Sequence, residues 1–64
     1  MFVKMIGLYG DDYTAYYRKL GDCFDFVSRK EFASDLTEEE ASKVLAHSEW
    51  YCKQYRASEL VTEK

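Results

Sequence analysis

The chain reads as one small α+β domain spanning residues 1–64: a small antiparallel β-sheet, hairpin or meander, followed by one amphipathic helix packed on one sheet face. A short C-terminal strand is the optional last element. Three observations predict this class. The first 27 residues hold short runs of β-forming residues broken by Gly and Asp. The stretch DLTEEEASKVLAHSEWYCKQY carries a helix start signal and a helical period. No Pro, linker or repeat divides the chain.

The elements follow in order. FVKMIGL, Phe2 to Leu8, is apolar on both alternating sets, with Phe2, Ile6 and Leu8 on one face and Val3 and Met5 on the other. A strand of that kind is expected to be covered on both sides. YGDD, Tyr9 to Asp12, is turn chemistry. YTAYYRKL-GD-CFDFVS is expected to be a hairpin with Gly21-Asp22 as a two-residue turn, Gly supplying the positive φ of a II′ type. That register sets Leu20 against Cys23, Lys19 against Phe24, Arg18 against Asp25, Tyr17 against Phe26 and Tyr16 against Val27. The rival reading makes Tyr13–Leu20 a short helix capped by Asp12 and closed by Gly21.

Thr37 and Glu40 fit a capping box, and Leu36 and Ala41 fit a hydrophobic staple. Glu38, Glu39 and Glu40 suit the positive end of a helix dipole and Lys53 the negative end. Glu39–Lys43 and Glu49–Lys53 are i,i+4 pairs in the favoured order. The expected helix is about 16–18 residues long, on the order of 25 Å. At 100° per residue, Ala41, Val44, Leu45, Ser48 and Cys52 form its apolar stripe, with Tyr55 at the edge. Trp50 lies opposite the stripe, near Lys43 and Gln54, with His47 close by. RASELVTEK can return as a strand anchored by Leu60 and Val61.

Composition limits the function classes. Hydrophobic residues make up 47% and charged residues 33%, a folding composition. A net charge of −3 argues against a nucleic-acid binder, which needs clustered cations, and is too balanced for acidic mimicry of DNA. Cys23 and Cys52 form no CxxC pair, there is no secretory signal, and no run reaches the roughly 18 apolar residues of a membrane helix. The expectation is a cytoplasmic protein with reduced thiols. Starting at Met and carrying no tag, it reads as a complete short gene product.

No metal or cofactor is expected. His47 and Cys52 are five residues apart, which on a helix points them about 140° from one another. Asp11, Asp12, Asp22 and Asp25 read as turn solvation and not as paired catalytic acids. No phosphate loop and no nucleophile–His–acid set is present, so the expectation is not an enzyme.

Two candidate partner-binding surfaces are expected, and the sequence does not choose between them: Trp50 with His47 and Lys43 on the helix, or Tyr16, Arg18 and Val27 on the sheet face left open. The partner is a host protein or a second copy in a homodimer. The alternative is a single-stranded nucleic-acid binder that stacks bases on sheet aromatics, with Arg18, Lys19, Arg29 and Lys30 as its basic track.

FASDLTEEEASKVLAHSEW, followed by RASELVTE, resembles the C-terminal half of small phage-encoded accessory proteins, and in length and in a helix ending in Glu-Trp it is distantly similar to short host-RNA-polymerase inhibitors of tailed phages. The resemblance covers about half the chain and carries over no functional residue. It implies a protein that binds a host protein and modulates or inhibits it, whether RNA polymerase or a nucleolytic defence complex, as anti-CRISPR proteins do.

Overall fold

The computed structural model describes residues 1–10 and 12–64. Four antiparallel strands, β1 (Phe2–Leu8), β2 (Tyr13–Leu20), β3 (Cys23–Val27) and β4 (Glu59–Glu63), lie in the order β3-β2-β1-β4. Two helices, α1 (Glu38–Ala46) and α2 (Ser48–Tyr55), pack on one face, giving an α+β fold. A 3-10 turn at Lys30–Phe32 precedes α1.

The β2–β3 hairpin has the register expected from its two-residue turn, from Leu20↔Cys23 through Arg18↔Asp25 to Tyr16↔Val27. Gly21 has φ +58°, the sign that the first residue of a II′ turn requires. Tyr13–Leu20 is therefore a strand, and the short-helix reading is discarded.

β1 departs from expectation at its end. Gly7 adopts φ +74°, and the pairing with β2 shifts between Ile6 and Leu8. The extra residue flips Leu8 to the side of Val3 and Met5, so Leu8 is buried in the core and does not share a face with Phe2 and Ile6. β1 is fully covered on the helix side only, where Val3 and Met5 are 0% exposed. On the other side Phe2 and Ile6 are half-buried, and the Lys30 ammonium lies 4.9 Å above the Phe2 ring. The turn Tyr9–Asp12 is described at Tyr9, Gly10 and Asp12; Asp11 lies outside the described residues.

The chain reaches the helix face through a gap in the sheet. Beyond Lys4 and Tyr16, the start of β1 and the end of β2 no longer pair. Ser34 and Leu36 fill the space. The Ser34 N–H donates to the Tyr17 carbonyl (3.2 Å), the Lys19 N–H donates to Ser34 Oγ (2.7 Å), and the Leu36 N–H donates to the Met1 carbonyl (2.7 Å). The Met1 ammonium donates to the Leu36 carbonyl and pairs with the Asp35 carboxylate.

α1 starts where the sequence indicates. The Glu40 N–H donates to Thr37 Oγ1 (3.1 Å), and the Thr37 N–H donates to Glu40 Oε1 (3.0 Å), which completes the capping box. Leu36 and Ala41 are both buried. The single long helix is instead two, broken at His47, whose φ −109° and ψ 24° leave the helical region. α2 ends at Arg56 in the left-handed conformation, with the Ala57 N–H donating to the Cys52 carbonyl (2.8 Å).

The core joins Val3, Met5, Leu8, Ala15, Tyr17 and Leu60 of the sheet to Leu36, Ala41, Val44 and Tyr51. Its β3 side is aromatic: Phe24 stacks on Tyr17 (centroids 5.6 Å), and Tyr51 meets Tyr17, Phe24 and Phe26 edge-on. Tyr51 lies two helical turns past Val44 on the same face, and it is the most buried side chain of α2. The stripe written from Ser48 and Cys52 omitted it; those two are only half-buried.

Candidate functional site

The sheet's uncovered face brings Tyr16, Arg18 and Val27 together. Strand alternation puts them on the side opposite Ala15, Tyr17 and Phe26, and all three are half-buried. Register adds Lys4 opposite Tyr16 on β1 and Val61 opposite Lys4 on β4. Phe2 and Ile6 lie two positions to either side of Lys4. Leu20, 46% exposed, and Cys23 mark the turn end of this face. Phe2, Lys4, Ile6 and Val61 were not among the expected site residues. The β1 alternation grouped Phe2 with Ile6, but only the β1–β2 register puts them beside Tyr16.

Most of the cations on this face are already matched. Arg18 donates to Asp25 from both Nε (2.8 Å) and Nη2 (2.5 Å), a two-point pair that holds the Asp25 carboxyl below its usual 3.8. Lys30 Nζ lies 3.6 Å from Glu63 Oε1. The Tyr16 hydroxyl beside Glu63, and the ammonium groups of Lys30 and Lys4, hold that carboxyl below its usual 4.5, against a desolvation that raises it. Glu63 Oε2 is buried without a hydrogen-bond partner among the described residues.

The helix surface divides. Trp50 is 50% exposed and lines a shallow depression with Ala46, His47, Glu49 and Lys53. Its indole leans edge-on against Phe24 (6.3 Å) and Tyr51 (5.0 Å), so it points away from the stripe yet shields the end of the aromatic cluster. Lys43 does not join this group. It pairs with Glu39 (3.7 Å) and lines a separate depression with Tyr17, Lys19, Leu36, Glu40 and Val44.

A third depression lies at the open end of the hairpin, lined by Leu8, Tyr13, Ala15, Phe26 and Tyr55 among others. Tyr9 borders it at φ +55°, an uncommon conformation for a bulky residue, and its N–H donates to the Tyr55 carbonyl (3.2 Å). The Tyr-Gly turn signal was legible there, but the contact with Tyr55 was not.

Among the described residues, no three His, Cys, Asp or Glu side chains gather as metal ligands. Both cysteines are free, and burial pushes the Cys52 thiol up, away from the reactive thiolate. No helix among the described residues is long and apolar enough to cross a membrane. No family model, no curated protein and no solved structure matches the chain.

Proposed function

We propose that this chain is a small, non-catalytic protein-binding module of the phage accessory type, acting in the cytoplasm by binding a host protein and modulating or inhibiting it. RNA polymerase and a nucleolytic defence complex are the two target classes that fit the resemblance. One observation carries the reading: helices cover one side of the sheet, and the other side presents Tyr16, Arg18 and Val27 half-exposed beside Phe2, Ile6 and Val61.

The chemistry of that face suits a protein. Apolar area framed by balanced charge is the usual make-up of an interaction patch. A phosphate backbone wants cations free along a track. Here Arg18 is engaged by Asp25, and Lys30 by Glu63. Base stacking wants open aromatic faces. Tyr17, Phe24 and Phe26 instead pack against one another and Tyr51. These features favour a protein partner over single-stranded nucleic acid.

The test is a comparison of three baits in bacterial lysate, wild type, Tyr16→Lys and Trp50→Ala, each first checked for folding by circular dichroism. Any protein captured is purified and its binding remeasured by calorimetry. Loss of affinity in Tyr16→Lys alone supports the open sheet face. Loss in Trp50→Ala alone moves the site to α2. Capture of nothing but the chain itself removes the host-binding reading in favour of self-association.

A further inference from the structure

β3 is a terminal strand, and among the described residues no strand lies along its outer edge. Leu20↔Cys23 closes a two-residue turn, so that pair exchanges both of its hydrogen bonds. The ladder alternates from there. Cys23, Asp25 and Val27 bond to β2, and the backbone N–H and C=O of Phe24 and Phe26 point outward. Beyond the β2 ladder, no backbone hydrogen bond reaches β3 among the described residues.

Sheet edges are normally guarded by charge. The far edge follows that rule, since β4 reads ELVTE with a carboxylate at each end. β3 reads CFDFV, with a single charged residue, Asp25, whose half-exposed carboxylate is paired with Arg18 on the open face and still presents a negative charge at the centre of the strand.

We propose that the outer edge of β3 is a strand-addition site for an extended segment of a partner protein, apolar at the two positions opposite Phe24 and Phe26 and basic at the position between them. The inference rests on the protein-binding reading and names the surface and the partner's conformation.

The backbone selects the conformation, because only an extended chain satisfies a row of outward N–H and C=O groups. On the helix side, a residue opposite Phe24 meets an edge-strand ring shielded by half-exposed Trp50. A residue opposite Phe26 stands beside the half-buried Phe26 ring, which packs edge-on against Tyr51 and Tyr55. On the other side, the residue opposite Asp25 falls in a non-hydrogen-bonded pair, where Cα atoms approach to about 4.5 Å and side chains lie closest. An opposite charge is favoured there and a like charge disfavoured.

A second copy fits this edge less well. A two-fold antiparallel pairing that uses all five residues of β3 must centre on Asp25, which sets the two Asp25 carboxylates face to face. Centring on Phe24 or Phe26 avoids the repulsion. It also cuts the ladder from five pairs to three (23↔25, 24↔24, 25↔23, or its equivalent around 26) and leaves one outward-facing residue unmatched.

The experiment titrates the ¹⁵N-labelled full chain with acetyl-Thr-Val-Lys-Val-Thr-amide, and separately with the same peptide carrying Glu at its centre, into the millimolar range. Expected are the largest amide shifts at Phe24 and Phe26, slower water exchange of those two amides, and several-fold tighter binding of the Lys peptide. Asp25→Asn should erase the preference while the edge amides still respond. Shifts centred on Lys4, Tyr16 and Val61, or on Trp50, overturn the edge assignment and leave the protein-binding reading standing. So does protection of Phe24 and Phe26 that grows with protein concentration in the absence of peptide, which assigns the edge to a second copy. An absence of shifts throughout the titration overturns the strand-addition site, while the bait comparison decides the broader reading separately.

Discussion

Arg18 and Asp25 face one another across β2 and β3 and meet at two points, Nε to Oδ1 at 2.8 Å and Nη2 to Oδ2 at 2.5 Å. The pair sits on the open face, and the guanidinium is the first cause of the lowered Asp25 pKa. Arg18→Ala should raise the Asp25 pKa, because the guanidinium that lowers it is gone and the opposing desolvation is left to act alone. Carbon-detected NMR titration of that carboxyl measures it. An unchanged titration would mean that the pair does not form in solution.

Glu40 should control part of the acid limb of stability. Its carboxylate accepts from the Thr37 N–H and from Lys19 Nζ (3.1 Å), which lower its pKa from 4.5 to about 2. A group depressed on folding stabilises the native state above its unfolded pKa, and that contribution fades as pH falls through the folded value. Urea midpoints should therefore drop between pH 4.5 and about 2, and more shallowly in Glu40→Gln. Parallel slopes for the two proteins would remove Glu40 from the acid limb.

Gly7 and Gly10 should respond differently to Ala. Both have positive φ, +74° and +80°. A Cβ on Gly7 would also lie 2.4 Å from Ser58 Oγ, whereas one on Gly10 would meet nothing within 4 Å among the described residues. Gly10→Ala carries backbone strain alone, roughly 1 kcal/mol. Gly7→Ala should cost more, and Ser58→Gly should recover part of the difference. Chemical denaturation of the three variants checks the ranking; equal costs would argue against the close approach.

Met5 is 0% exposed on a central strand, so Met5→Ala should cost about 2–5 kcal/mol, enough to leave a chain this small largely unfolded. Met5→Leu should keep the volume and most of the stability. Thermal melts of the two distinguish a packed core position from a tolerant one.

Trp50 should emit between the buried and solvated limits, because half of the indole is exposed and the rest lies on Phe24 and Tyr51. Phe24→Ala should shift the emission to the red and raise acrylamide quenching. A blue, quencher-resistant spectrum in the wild type would remove Trp50 from any exposed surface.

The hairpin register, the capping box and the open face of Tyr16, Arg18 and Val27 were legible because they depend on short-range rules. A Gly-Asp turn sets which residues face one another, and Thr37 and Glu40 lie within one helical turn. What escaped depends on contacts distant in sequence. The Gly7 bulge shows only where Leu8 joins the core, and Tyr51 joins Val44's face because Tyr17, Phe24 and Phe26 receive it. The break at His47 had no Gly or Pro to announce it.

The pairing of β1 with β4 sets Phe2 beside Glu63, nearly the whole chain apart. The β2–β3 hairpin needs only neighbouring residues and can form early, whereas joining β4 closes a long loop and comes late. Until Leu60 docks, one flank of Val3 and Met5 stays wet. A chain in which β4 has yet to dock is therefore a hairpin with an unsealed core, sticky and open to proteolysis, and the open sheet face is complete only once β4 has paired with β1.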